Sequence, residues 1–84
     1  MTRGADLSSL ARPRKHSVTV AGHATSLSLE DAFWRDLKAA AAARHTSVNA
    51  LLTEIDAERT PDDGQHAPPV SLSAAVRVWL LRRR

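Results

Sequence analysis

His23-Ala24-Thr25-Ser26-Leu27-Ser28-Leu29-Glu30-Asp31-Ala32-Phe33-Trp34-Arg35-Asp36-Leu37 changes its hydrophobic period partway along. Thr25, Leu27 and Leu29 fall on odd numbers with Ala24, Ser26 and Ser28 between them, a period of two that reads as strand. Beyond that point Leu29, Phe33, Leu37, Ala40, Ala41 and Arg44 recur at helical spacing. Ser28-Leu29-Glu30-Asp31 sets an acid three residues after a hydroxyl, so a capped helix is expected to start near Leu29. Its acidic first turn suits the positive helix end. Five consecutive alanines, Ala39 to Ala43, add propensity and let a neighbouring backbone approach closely.

Upstream, Ser17-Val18-Thr19-Val20 alternates on even numbers. The phase change at Ala21-Gly22-His23 implies a bulge or a tight turn between two short strands. Downstream, Arg44-His45-Thr46 is a turn, and Thr46 or Ser47 caps a second helix. There Val48, Leu51, Leu52 and Ile55 lie at i, i+3, i+4 and i+7. Residues 60–70 are a loop by composition. A last helix is expected from about Ser73 to Leu81, with Ser71 as cap and Leu72, Ala75, Val76, Trp79 and Leu80 on one face. The alternation of Val76, Val78 and Leu80 leaves a strand as the alternative. The expected organisation is a flexible basic arm over residues 1–15, one domain over 16–81, and a basic tail at 82–84.

The 84 residues make at most one small domain, and cores of this size often depend on a disulfide, a metal or a partner subunit. With no cysteine, disulfides and thiolate metal sites are excluded. His16, His23, His45 and His66 have no finger-like spacing, so no metal or other cofactor is expected. No apolar run approaches the roughly 20 residues of a membrane span, and the first residues lack a signal-peptide core. A cytoplasmic location with no membrane partner is expected. The net charge of +3 is uneven. Arg3, Arg12, Arg14 and Lys15 against Asp6 make the first fifteen residues basic, and Arg82, Arg83 and Arg84 make the end basic. A basic fringe on an acidic body suits contact with a polyanion. No nucleophile–base–acid set and no phosphate-cradling glycine loop is present, so the chain is not expected to be an enzyme.

A short strand followed by amphipathic helices cannot close a core alone, because the strand leaves unpaired backbone groups on its edges. Pairing with the same strand of a second copy answers this, burying Leu27, Leu29, Phe33, Leu37, Leu51, Leu52 and Ile55 in a shared core. If residues 17–20 fold back as a hairpin, the ribbon has four strands instead.

His23-Ala24-Thr25-Ser26-Leu27-Ser28-Leu29, Glu30-Asp31-Ala32-Phe33-Trp34 and Thr46-Ser47-Val48-Asn49-Ala50-Leu51 together resemble the ribbon-helix-helix superfamily. Ile55-Asp56 and the block Ser73, Ala75, Arg77, Val78 extend the resemblance to a bacterial subgroup of ribbon-helix-helix domain proteins. The resemblance implies a mainly α fold with a short β-ribbon, an intertwined homodimer, and here an extra C-terminal helix. It implies a DNA-binding transcriptional regulator whose ribbon enters the major groove, with Ala24, Ser26 and Ser28 facing the bases. Phosphate would be held at the second helix by Thr46, Ser47, Val48 and Asn49, where free N–H groups and a positive helix end attract an anion in any case. The short ribbon side chains discriminate bases weakly, and the arm residues Arg12, Arg14 and Lys15 would add phosphate or minor-groove contacts. The alternative is an antitoxin-like protein-interaction module whose C-terminal segment, with Trp79, Leu80 and Leu81, binds a partner protein.

Overall fold

The phase change at Ala21 and Gly22 is a two-residue turn joining strands β1 (Pro13–Val20) and β2 (His23–Glu30). Both turn residues have positive φ, 51° and 83°, the pattern of a type I′ turn, whose twist matches that of the flanking strands. A Cβ on Gly22 would meet nothing within 4 Å, so backbone conformation and not space favours glycine there. The strands pair antiparallel along their whole length, from Val20 opposite His23 to Pro13 opposite Glu30. The structure, a computed structural model, describes residues 7–59 and 70–83. A single helical turn, α1 (Leu7–Leu10), precedes the hairpin, and α2 (Asp31–Ala43), α3 (Val48–Glu58) and α4 (Leu72–Arg82) follow it.

Alternation gives the hairpin a buried face and an exposed face. Val18, Val20, Leu27 and Leu29 turn inward onto the helices, meeting Leu37, Ala40 and Ala41 of α2, Leu51, Leu52 and Ile55 of α3, and Val76 and Leu80 of α4. His16 shares the inward face, stacked on Trp34 with ring centroids 3.8 Å apart and planes 7° apart, its Nε2 buried without a hydrogen-bond partner among the described residues.

Three expectations change. First, β2 does have a partner of matching length in its own chain. Leu27, Leu29, Leu37, Leu51, Leu52 and Ile55 are at most 1% exposed within one chain, and Phe33 packs half-buried against them. The core assigned to two chains is thus closed by one, because β1 and α4 supply the missing cover. Second, the strand begins at Pro13, so Pro13, Arg14 and Lys15 belong to the ribbon and not to an arm. The remainder of the arm up to residue 6, most of the 60–70 loop and Arg84 of the tail lie outside the described residues. Third, α2 starts at Asp31 and not near Leu29. Ser28 does not cap it, and the N-cap position is held by Glu30, with no side-chain cap bond. Leu29 stays extended because it pairs with Arg14 and is fully buried as the last inward residue of β2.

The helix ends follow local chemistry. At the end of α2, the His45 N–H donates to the Ala42 carbonyl and the Thr46 N–H to the Ala41 carbonyl, a Schellman closure with His45 at φ 55° where glycine is usual. Ser47 caps α3 and Ser71 caps α4, each Oγ accepting the N–H three residues on. The last element is therefore helix and not strand. It is tied to β2 by the Ser73 hydroxyl, which donates to the Ser28 carbonyl at 2.6 Å, and by Arg77, which donates to both carboxylate oxygens of Glu30 at 2.8 and 3.1 Å. Hydrogen bonding from Arg77, helped by a backbone N–H, holds the Glu30 carboxyl below its ordinary value of 4.5. No described helix is long and apolar enough to cross a membrane.

Two outcomes follow for stability. Ala21 adopts a left-handed conformation that costs an L-residue about 1 kcal/mol. Ala21→Asn, better suited to this turn, should raise stability by up to about 1 kcal/mol, or a few degrees in Tm by calorimetry. Because the Glu30 pKa is depressed in the folded state, its contribution is present above about pH 4.5 and is lost as the pH falls through the folded value. Glu30→Gln should therefore shrink the acid-induced loss of stability below about pH 4.5, read as the shift in urea midpoint between neutral and acid pH.

Candidate nucleic-acid interface

The outward face of the hairpin carries two rows of side chains. Register places Lys15 opposite Ser28, Ser17 opposite Ser26 and Thr19 opposite Ala24. Five of the six are exposed and Ser28 is half-buried. Ala24, Ser26 and Ser28 thus lie on one outward row, and a second row, Lys15, Ser17 and Thr19, comes from β1 of the same chain. The arm expected over residues 1–15 includes Lys15, but its odd number continues the alternation of Ser17 and Thr19 and signals its face. Lys15 is the one cation among these six side chains, and no carboxylate stands among them. Arg14 points the other way, its Nε 3.3 Å from Asp31, and its side chain remains 66% exposed. Arg12 is exposed just ahead of β1. The three basic residues therefore do not lie together: Lys15 is on the ribbon face, Arg12 precedes it and Arg14 is paired with Asp31.

The start of α3 is fastened to the edge of the same ribbon. Asn49 Oδ1 accepts the Thr19 N–H at 3.1 Å, and Thr53 Oγ1 accepts the Ala21 N–H at 3.0 Å while donating to the Asn49 carbonyl. These bonds satisfy edge groups that a hairpin leaves open. Ser17, Thr19, Ala24, Ser26 and Asn49 surround a shallow depression where the ribbon meets the helix. At the helix end, the Ser47 hydroxyl accepts the Ala50 N–H and the Ser47 carbonyl accepts the Leu51 N–H. The Val48 and Asn49 N–H groups are left without a partner among the described residues, as the first turn of a helix dictates. Thr46 contributes only its hydroxyl, since its N–H closes α2. Ser47, Asn49 and Ala50 are exposed, and Val48 is half-buried against the core. The arrangement offers hydroxyls, one ammonium, a side-chain amide and two backbone donors along one side of the protein, and no acid. That is chemistry suited to an anionic backbone. Among the described residues no group of three or more His, Asp or Glu could hold a metal ion.

An antiparallel ribbon followed by helices, with a capped helix N-terminus beside the ribbon, defines a ribbon-helix-helix module. A model of the ribbon-helix-helix domain family matches residues 13–83, and the chain belongs to that family. No curated protein and no solved structure matches it. Domains of this family generally bind DNA and form dimers, and they are typically non-enzymatic. The family supports a DNA-binding regulator or antitoxin-type role.

The Asn49–Thr19 bond joins the two parts of the interface, and its removal should be measurable. Asn49→Ala should lower stability by about 0.5–1 kcal/mol, seen as a lower urea midpoint with an unchanged m-value, since both groups are exposed to water once parted.

Proposed function

We propose that the protein is a DNA-binding transcriptional regulator that sets its ribbon in the major groove and holds phosphate at the start of α3. The observation that carries this reading is the fastening of the α3 N-terminus to the ribbon edge through Asn49 and Thr19, which turns two weak anion-attracting features into one surface. Serine, threonine and alanine reach only a short way toward base edges, so phosphate contacts supply most of the affinity and Lys15 most of the charge on this face. Alternation along β2 gives the edge groups of Ala24 and Ser26 the orientation of the Ser28 carbonyl. The first two remain available for the same edge of a second copy, which would make a four-stranded ribbon and two phosphate sites related by a two-fold axis. The reading places the protein in the cytoplasm.

Ala50→Glu tests the helix end. Ala50 is exposed, and glutamate there completes a capping box with Ser47, so the fold is retained or strengthened while a negative charge is set beside the phosphate. Affinity for duplex DNA at low salt should fall at least tenfold for every sequence, by fluorescence anisotropy; equal affinity would place this helix end away from DNA. Lys15→Ala should reduce the slope of log affinity against log salt by about 0.9, one phosphate fewer. Truncation of the arm must stop before Pro13, since cutting to residue 15 removes part of β1. Sedimentation at micromolar concentration should give a dimer that Ser26→Pro, which removes an edge donor, converts to monomer.

A further inference from the structure

Helix α4 is apolar on two sides. Val76 and Leu80 are buried in the core. Away from them Ala74, Val78 and Leu81 run as one stripe along the helix, and Val70 lies just ahead of its Ser71 cap; Val70, Val78 and Leu81 are 46%, 52% and 60% exposed. They are three of the four large hydrophobic side chains exposed among the described residues, the other being Leu7. Apolar side chains exposed together on one face mark an interaction surface, where scattered single ones do not. Val70, Ala74 and Val78 form, with Ile55 and Trp79, the floor of a groove of about 310 Å³ between the C-terminal half of α3 and α4.

The rim is basic. Arg59 is neutralised by Asp56 at 2.6 Å, which leaves Arg82 and Arg83 against the single carboxylate of Glu58, with Arg84 next in the sequence. Neither Arg82 nor Arg83 has a carboxylate partner among the described residues. The Arg83 guanidinium lies 5.6 Å from the Trp79 ring centroid and keeps cationic surface at the groove's end, whereas Arg44, as near to that ring, is paired with Glu54 at 2.6 Å. A cleft between two helices is shaped for a third. We infer that this groove docks an amphipathic helix of another protein, its apolar face on Val70, Ala74, Val78 and Trp79 and its acidic side chains against Arg82 and Arg83. Nucleic acid does not suit an apolar floor. The groove sits at the end of α3 opposite Ser47, about 15 Å along the helix from the phosphate site, so partner and DNA can bind together.

A phage-displayed library of randomised helical peptides, selected on the full-length protein, tests this directly. Enriched peptides should carry large apolar residues at i, i+4 and i+7 with Asp or Glu on the flanks. Val78→Glu, at a solvent-exposed position, should weaken a selected peptide at least tenfold by fluorescence anisotropy, and Arg82→Glu with Arg83→Glu should do the same, while the melting temperature and DNA affinity of Val78→Glu stay as in the wild type. Enrichment of basic or neutral peptides overturns the inference. So does a failure to enrich any. A loss of mass on sedimentation caused by Val78→Glu also overturns it, because the face is then an interface between copies. Loss of DNA binding in Ala50→Glu bears on the ribbon surface alone, so the two readings fail separately.

Discussion

When Val20 and His23 close across Ala21 and Gly22, β2 gains a full-length partner from its own chain, and the remainder of the fold is arranged around that pairing. A lone strand would present two open edges and an uncovered row at Leu27 and Leu29. The hairpin closes one of the two edges of β2 and adds Val18 and Val20 to the same buried face. What it leaves open on the β1 side is partly closed by side chains of α3. The turn that permits this is strained at Ala21, so a local conformational cost is offset by non-local packing.

Helix α4 completes what the hairpin begins. It returns from the far end of the chain to bury Val76 and Leu80 against α2 and α3, and it meets β2 through Ser73 and Arg77. The Arg77–Glu30 pair is partly solvent-exposed, its side chains 33% and 23% accessible, so its value lies more in fixing where α4 sits than in energy. By covering the core, α4 removes the need for a second chain to do so.

The two surfaces proposed to bind partners differ in kind. The ribbon face is short-chained, hydrated and free of acids, which favours a phosphate backbone over base-specific readout. The α3/α4 groove is apolar with a cationic rim, which favours an acidic protein segment. Both lean on α3, one at each end: its first turn offers backbone donors, and its last turns line the groove. A DNA-bound regulator answering to a protein partner needs such a separation, and the antitoxin-type role that the family supports would use it in the same way.

Periodicity in the sequence identified the strands at residues 17–20 and 25–29, the three longer helices, the caps at Ser47 and Ser71, and nearly every buried side chain, because burial imposes a period of two or about 3.6 on any chain that forms these elements. The outward row Ala24, Ser26 and Ser28 followed as well, since alternation fixes which side of a strand faces out, but the row Lys15, Ser17 and Thr19 on β1 did not. Pairing was not legible. Ala21-Gly22 is compatible with a bulge or a turn, and only the contact of Val18 and Val20 with the helices selects the turn and carries the strand back to Pro13. Ser28 illustrates the same limit: its sequence context is that of a helix cap, yet the burial of Leu29 holds the backbone extended for two residues more, and the Ser28 carbonyl meets Ser73, 45 positions away. Nor does any local pattern place Glu30 beside Arg77, or show that β1 pairs with β2 while α4 covers the core from the far end of the chain. Local propensity acts over a few residues, whereas these choices are made by contacts between segments far apart in the chain, and only the tertiary structure decides them.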